Sequence, residues 1–145
     1  MTSGGWLPTG DLGIVIDGEL YPAGRYDDRI IVAGRNVDAA QVENHISGKH
    51  GIRYGGAAAV EDGDGGFVVV AETAAEGPAL QDIADAARDA LVGATGLAPS
   101  AVIFVPRGTL PKTASGKLQR YLIRRLLRTG GLEQIAVVRF RGAAR

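Results

Sequence analysis

Lys117 stands in the run Leu110-Pro111-Lys112-Thr113-Ala114-Ser115-Gly116-Lys117-Leu118-Gln119-Arg120, where proline and glycine argue against regular structure on the approach to it. A loop of this kind can aim an ammonium group at oxyanions and so stabilise a step that brings negative charges together. Taken alone, Ser-Gly-Lys in a loop is usually a solvated lysine. A phosphate-cradling loop is excluded at two positions, because its first glycine would stand at Pro111 and its hydroxyl residue at Leu118. Asp11, in Thr9-Gly10-Asp11, offers two acceptor oxygens that can hold a vicinal diol, although an aspartate after glycine is also an ordinary turn residue. Arg25 presents a rigid fork of donors for oxygen ligands. Gly34 lets backbone approach a ligand with no Cβ in the way. In the plainer reading Arg25 and Asp27 form a surface ion pair of small worth, and Gly34 is only a turn.

The elements that must position these residues follow from pattern. Leu12 to Ile16 and Leu20-Tyr21 flank Asp17-Gly18, a two-residue hairpin signal. Ile30-Ile31-Val32 reads as a strand, with Gly34-Arg35-Asn36 turning the chain before Val37. Asp38 is placed to cap a helix running through Lys49, with Val42 and Ile46 on one face. Ala57 to Val60 and Phe67 to Ala71 form a hairpin across the Glu61 to Gly66 turn. Leu80, Ile83, Ala84, Ala87 and Leu91 repeat at helical spacing between Pro78 and about Ala94. Val102 to Val105 is a further strand, Leu118 to Arg128 a last helix, and Ile135 to Phe140 a possible edge strand. The order suggests an α+β domain: a small sheet of about three strands covered by two or three helices and preceded by a β-hairpin.

A chain of 145 residues with 46% hydrophobic letters can bury a core without staples. Sixteen basic and sixteen acidic residues cancel, which gives no long-range field for nucleic acid or anionic lipid. The absence of cysteine excludes disulfides and thiolate chemistry, and His45 and His50 make a poor metal constellation, so no metal site is expected. Asp62-x-Asp64 resembles the opening of a calcium loop, but its twelfth position is Thr73 where a bidentate glutamate is required. The lack of cysteine is compatible with a reducing, cytoplasmic setting, and no apolar run approaches bilayer length and no targeting signal is read.

Three segments in order resemble the carboxy-terminal signature of the adenylate-forming superfamily of acyl-CoA synthetases, fatty acyl-AMP ligases, luciferases and adenylation domains. They are Trp6-Leu7-Pro8-Thr9-Gly10-Asp11-Leu12-Gly13, then Gly24-Arg25-Tyr26-Asp27-Asp28-Arg29-Ile30-Ile31-Val32-Ala33-Gly34-Arg35-Asn36, then the lysine run through Arg120. The wording Gly18-Glu19-Leu20-Tyr21 and Gly34-Arg35-Asn36 is most similar to fatty acyl-AMP ligases. Where relatives carry a proline and an acidic-Ile-Glu run, this chain has Asp38-Ala39-Ala40-Gln41-Val42-Glu43, which leaves helix entry to Asp38.

The resemblance implies that Lys117 is the catalytic lysine of adenylation and that Asp11 and Arg25 bind the nucleotide. It makes Asp27 the hinge of a swinging lid domain, and it sends the Gly34 loop into the active site for thioester formation. It implies ATP and Mg²⁺ as cofactors of a full enzyme, a carboxylic acid such as a fatty acid as substrate, and the phosphopantetheine of coenzyme A or an acyl carrier protein as acceptor. Residues 1–25 would be the hairpin and hinge approach, 26–129 the lid domain and 130–145 a tail. The large domain would be a missing partner, without which the chain is inactive. A non-catalytic interaction module of the same fold is the alternative from another class, and an acyl-CoA synthetase the alternative among enzymes. Arg120, Arg124, Arg125 and Arg128 make one face of the last helix basic. That face is either merely solvated or a docking surface for a carrier protein or coenzyme A phosphates.

Overall fold

The computed structural model describes residues 11–25 and 28–142, and of residues 11, 12 and 22–25 the backbone alone. A first antiparallel hairpin joins β1 (Asp11–Ile16) to β2 (Glu19–Arg25). Asp17 and Gly18 both take positive φ, as the Asp-Gly signal requires. Ile14, Val15, Ile16, Leu20 and Tyr21 are all exposed, and among the described residues no other element packs extensively on this hairpin.

A second hairpin joins β3 (Arg29–Val32) to β4 (Arg35–Asp38). Its loop is the pair Ala33-Gly34, with φ of 50° and 78°, so Arg35 and Asn36 lie in β4 rather than in the expected three-residue turn. The register decides this: Val32 pairs with Arg35 and Ile31 with Asn36. Its inner face carries Ile30 and Val32, both buried.

The main sheet has the order β5-β6-β7-β8, built from β5 (Ala57–Glu61), β6 (Phe67–Glu72), β7 (Ala101–Val105) and β8 (Ala136–Arg139). β6 and β7 are parallel and the outer pairs antiparallel. The sheet therefore has four strands, one more than expected, because the tail supplies β8 as an edge.

Residues of β6 and β7 are buried on both faces, which explains why Val68-Val69-Val70 and Val102-Ile103-Phe104-Val105 show no polar alternation. On one face α1 (Ala39–Asn44) and α2 (Ala79–Thr95) cover Phe67, Val69, Val102 and Phe104. On the other, α3 (Arg120–Thr129) sets Ile123 against Val60, Val70, Ile103 and Val105, joined by Leu110 and Leu132. The α+β layering is as the pattern suggested, with the crossover β6–α2–β7 supplying the parallel pair.

Asp38 caps α1 as expected, its Oδ1 accepting from the Ala40 N–H at 2.9 Å. The helix is shorter than expected and stops at Asn44, not Lys49. There the N–H groups of His45 and Ile46 bond three residues back, to Val42 and Glu43, and Gly48 follows with φ of 72°. α2 ends at Gly96, left-handed at φ 73°, whose N–H closes on the Val92 carbonyl.

Candidate functional site

The segment between β7 and α3 contains neither helix nor strand, yet it is not slack. Lys112 and Leu118 form an isolated antiparallel bridge, the Thr113 N–H donates to the Lys117 carbonyl at 2.8 Å, and the Gln119 N–H donates to Pro111 at 3.0 Å. Inside this small loop Thr113 Oγ1 accepts from the Lys117 N–H at 3.1 Å and lies 3.0 Å from Ser115 Oγ. Gly116 takes φ of 87°, which turns the chain just before the lysine. Sequence reasoning expected a loop without regular structure here, and within it the threonine and serine of the run close the chain on itself. Lys117 is exposed, so its ammonium is free to meet a surface docked against this face.

The base of the loop is tied down by Arg120, the first residue of α3. Its Nε donates to Glu43 Oε1 at 2.7 Å, its Nη2 donates to Glu43 Oε2, and its Nη1 donates to Asp28 Oδ1 at 2.5 Å. Glu43 lies in α1, buried, and its Oε1 also accepts from the Ala59 N–H of β5 at 2.9 Å. A planar guanidinium fork fits a carboxylate in this way and leaves one more donor for a second acid. Burial pushes the Glu43 carboxyl above the ordinary glutamate value, against the downward pull of Arg120 and of the Ala59 N–H. Burial also works against the charge on Arg120, but its bonds to Glu43 and Asp28 outweigh it and raise its pKa. With both Glu43 oxygens accepting from N–H donors, the geometry is that of a guanidinium–carboxylate pair at neutral pH.

This corrects the reading of the last helix as a basic stripe. Arg120 has only 11% of its side chain exposed and is spent on two carboxylates, while Arg124 pairs with Glu61 at 3.6 Å. Arg125 and Arg128 alone remain as exposed arginines of that helix. Sequence reasoning missed the Glu43–Arg120 pair. The available signal was that Glu43 falls on the apolar face of α1, four residues after Ala39 and three before Ile46, where a carboxylate must find a partner.

The other expected site residues are placed as follows. Asp11 and Arg25 are cross-strand partners in the register of β1 and β2, a juxtaposition that a separation of fourteen residues in sequence had hidden; their side chains are not described. Asp27, like Trp6 to Gly10 of the first motif, lies outside the described residues. Asp28, its neighbour, is the acid held by Arg120. Gly34 tops the β3–β4 hairpin, whose tip rests on the β5–β6 turn through the Ala33 N–H and the Gly65 carbonyl at 2.9 Å. Lys117 and Gly34 are thus not brought together. The lysine loop is anchored at the Asp28 end of β3 and the glycine stands at the other end, roughly 10 Å along a four-residue strand.

The Asp62 turn holds itself: Asp62 Oδ1 accepts from the N–H groups of Asp64 and Gly66 at 2.8 and 3.0 Å. Among the described residues no three His, Asp or Glu side chains converge. Nor, among them, is any helix long and apolar enough to cross a membrane.

No protein-family model matches the chain. It is 36% identical over 138 residues to a medium-chain-fatty-acid–[acyl-carrier-protein] ligase of Moorena producens, covering 90% of this chain and 23% of that ligase. It is 30% identical over 141 residues to a long-chain-fatty-acid–AMP ligase of Mycobacterium tuberculosis, covering 92% of this chain and 24% of that one. Among solved structures, one from structural and functional studies of fatty acyl-adenylate ligases from E. coli and L. pneumophila superposes with a TM-score of 0.69 at 26% identity, covering 89% of this chain and 23% of that one. The chain belongs to the adenylate-forming superfamily.

The match is to the carboxy-terminal part of those enzymes, and the chain spans less than a quarter of the length of these two curated relatives. Arg120 at the start of α3 is paired with Asp28, the residue just before β3.

Proposed function

We propose that this domain is the mobile lid of an ATP-dependent acyl-activating ligase of the fatty acyl-AMP type. The enzyme would join a carboxylic acid to AMP with release of pyrophosphate, then pass the acyl group to the phosphopantetheine thiol of a carrier protein or coenzyme A. The observation that carries this reading is Lys117, exposed at the end of a self-bonded turn whose base is fixed to the rest of the domain. Attack of a carboxylate on the α-phosphate brings two anions together, and an ammonium placed at their shared oxygens lowers that barrier. Lys117 would do this when the domain docks on a large domain that holds ATP and the acid. Mg²⁺ would come with the ATP phosphates rather than from this chain.

The hairpin β1–β2 supports the need for such a partner. An isolated two-stranded hairpin is marginal in water, and this one exposes apolar side chains on both faces. In the proposed division, residues 1–25 pack on the large domain with Asp11 and Arg25 toward the nucleotide. The remainder turns about Asp27 and bears Lys117 and the Gly34 loop. Because these last two stand at opposite ends of β3, one orientation serves adenylation and another thioester formation. The left-handed Ala33 and Gly34 give the second loop a narrow, backbone-exposed tip.

The test is reconstitution. Mixed with ATP and fatty acid, the purified chain is expected to release no pyrophosphate, and addition of a separately produced large domain is expected to restore acyl-adenylate formation. Activity of the chain alone, or no gain on addition to a large domain that binds ATP, would contradict the reading.

A further inference from the structure

Arg120 belongs to the same sequence run as Lys117, yet it touches no candidate ligand group. It is the one described side chain that joins the lysine loop to both α1 and the start of β3, and the bonds are continuous. Back from Arg120, Gln119 is held to Pro111, Leu118 is bridged to Lys112, and Lys117 is held by both its N–H and its carbonyl to Thr113. Forward from Arg120, one guanidinium grips Glu43 through two donors and Asp28 through a third. Asp28 immediately follows the proposed hinge residue. The backbone of Lys117 is therefore fixed with respect to the hinge strand through one side chain.

We propose that Arg120 is a positioning residue for adenylation, which sets the aim of Lys117 relative to the hinge through its simultaneous bonds to Glu43 and Asp28. The proposal rests on the reading of Lys117 as the catalytic lysine. An arrangement of three directed donors needs the guanidinium fork, since a lysine at this position would bring a single point charge and lose the bidentate grip. A misplacement of a catalytic group by about 1 Å costs on the order of 100-fold in rate, so the effect should be large although Arg120 is remote from the reacting atoms. Glu43 sits in the core of the domain and fixes one arm of the fork, whereas Asp28, whose side chain is 36% exposed, is the arm next to the hinge.

The test uses the full-length enzyme that carries this domain and follows single-turnover formation of acyl-adenylate. Arg120→Lys is expected to lower the adenylation rate roughly 10- to 100-fold with the KM for ATP within about twofold. Asp28→Asn, a change at a partly exposed side chain that the fold tolerates, is expected to lower it a few-fold in the same manner. The deciding readout is the double-mutant cycle with Lys117→Ala. If Arg120 acts through Lys117, neither Arg120→Lys nor Asp28→Asn slows the Lys117→Ala enzyme further by more than about twofold. Losses that multiply in the Lys117→Ala background, or a rise in the KM for ATP at unchanged rate, would overturn the proposal while leaving the lysine assignment intact. A Lys117→Ala enzyme as fast as its parent would remove the lysine assignment and the proposal with it. Should Arg120→Lys fail to fold, the Asp28→Asn cycle decides alone, and absence of any loss in that variant counts against the proposal.

Discussion

Removing the Glu43 carboxylate perturbs a buried network of polar bonds that ties α1, β5 and α3 together. Glu43→Ala takes away both acceptors of the Arg120 fork and the acceptor of the Ala59 N–H in β5. Breaking a buried ion pair by deleting one partner costs about 3–5 kcal/mol, and an orphaned buried donor alone about 1–3 kcal/mol. These figures overlap rather than add, and Arg120 keeps its bond to Asp28, so the lower end applies, roughly 3 kcal/mol. With a urea slope of about 2–3 kcal/mol per M for a chain of this size, the unfolding midpoint should fall by about 1–1.5 M. Asp28→Asn is the internal comparison. Its side chain is 36% exposed against 7% for Glu43, so its loss should stay below about 1 kcal/mol. The assay is equilibrium urea unfolding of the purified chain followed by circular dichroism. A midpoint shift for Glu43→Ala below about 0.3 M, or an Asp28→Asn loss as large as that of Glu43→Ala, would refute the reasoning that burial sets the worth of this network.

Other outcomes follow from single features. Partial burial disfavours the charged form of Asp62, but its bonds from the Asp64 and Gly66 N–H groups and from Ser100 outweigh this and hold its pKa below the ordinary 3.8. The resulting stability is present above 3.8 and lost as pH falls through the folded-state value. Asp62→Asn should therefore cost about 1 kcal/mol at pH 7, and urea melts should show the gap closing below about pH 4. Ala33, at φ of 50°, carries a side chain in the left-handed region, which costs about 1 kcal/mol. Ala33→Asn should raise the melting temperature by about 2 °C, and an unchanged or lower value would count against strain at that turn.

Much of this architecture was legible in the sequence where a local rule settles the outcome. Asp17-Gly18 marked its hairpin, Asp38 its helix start, and the spacing of Leu80, Ala84, Ala87 and Leu91 the long helix, because turn geometry, capping and helical period act over a few residues. The lysine run was legible as a motif. Its shape was not, since Thr113 and Ser115 read as ordinary loop residues until their hydroxyls are seen to close the turn. The Glu43–Arg120–Asp28 network was illegible for a different reason. Its members lie up to 92 residues apart, and only tertiary packing turns the first arginine of a basic helix inward while leaving Arg125 and Arg128 in solvent. Likewise β8 was ambiguous, because Ala136-Val137-Val138-Arg139 shows no polar alternation of its own and only its register with Ala101 to Phe104 makes it part of the sheet.

The central claim is that the exposed ammonium of Lys117 stabilises the meeting of carboxylate and α-phosphate. It is tested most directly by single-turnover adenylation in the full-length enzyme carrying Lys117→Ala. The rate of acyl-adenylate formation should fall about 100- to 1000-fold, while acyl transfer to a phosphopantetheine thiol from separately supplied acyl-adenylate stays within about twofold of the parent. An unchanged adenylation rate, or equal losses in both half-reactions, would contradict the account.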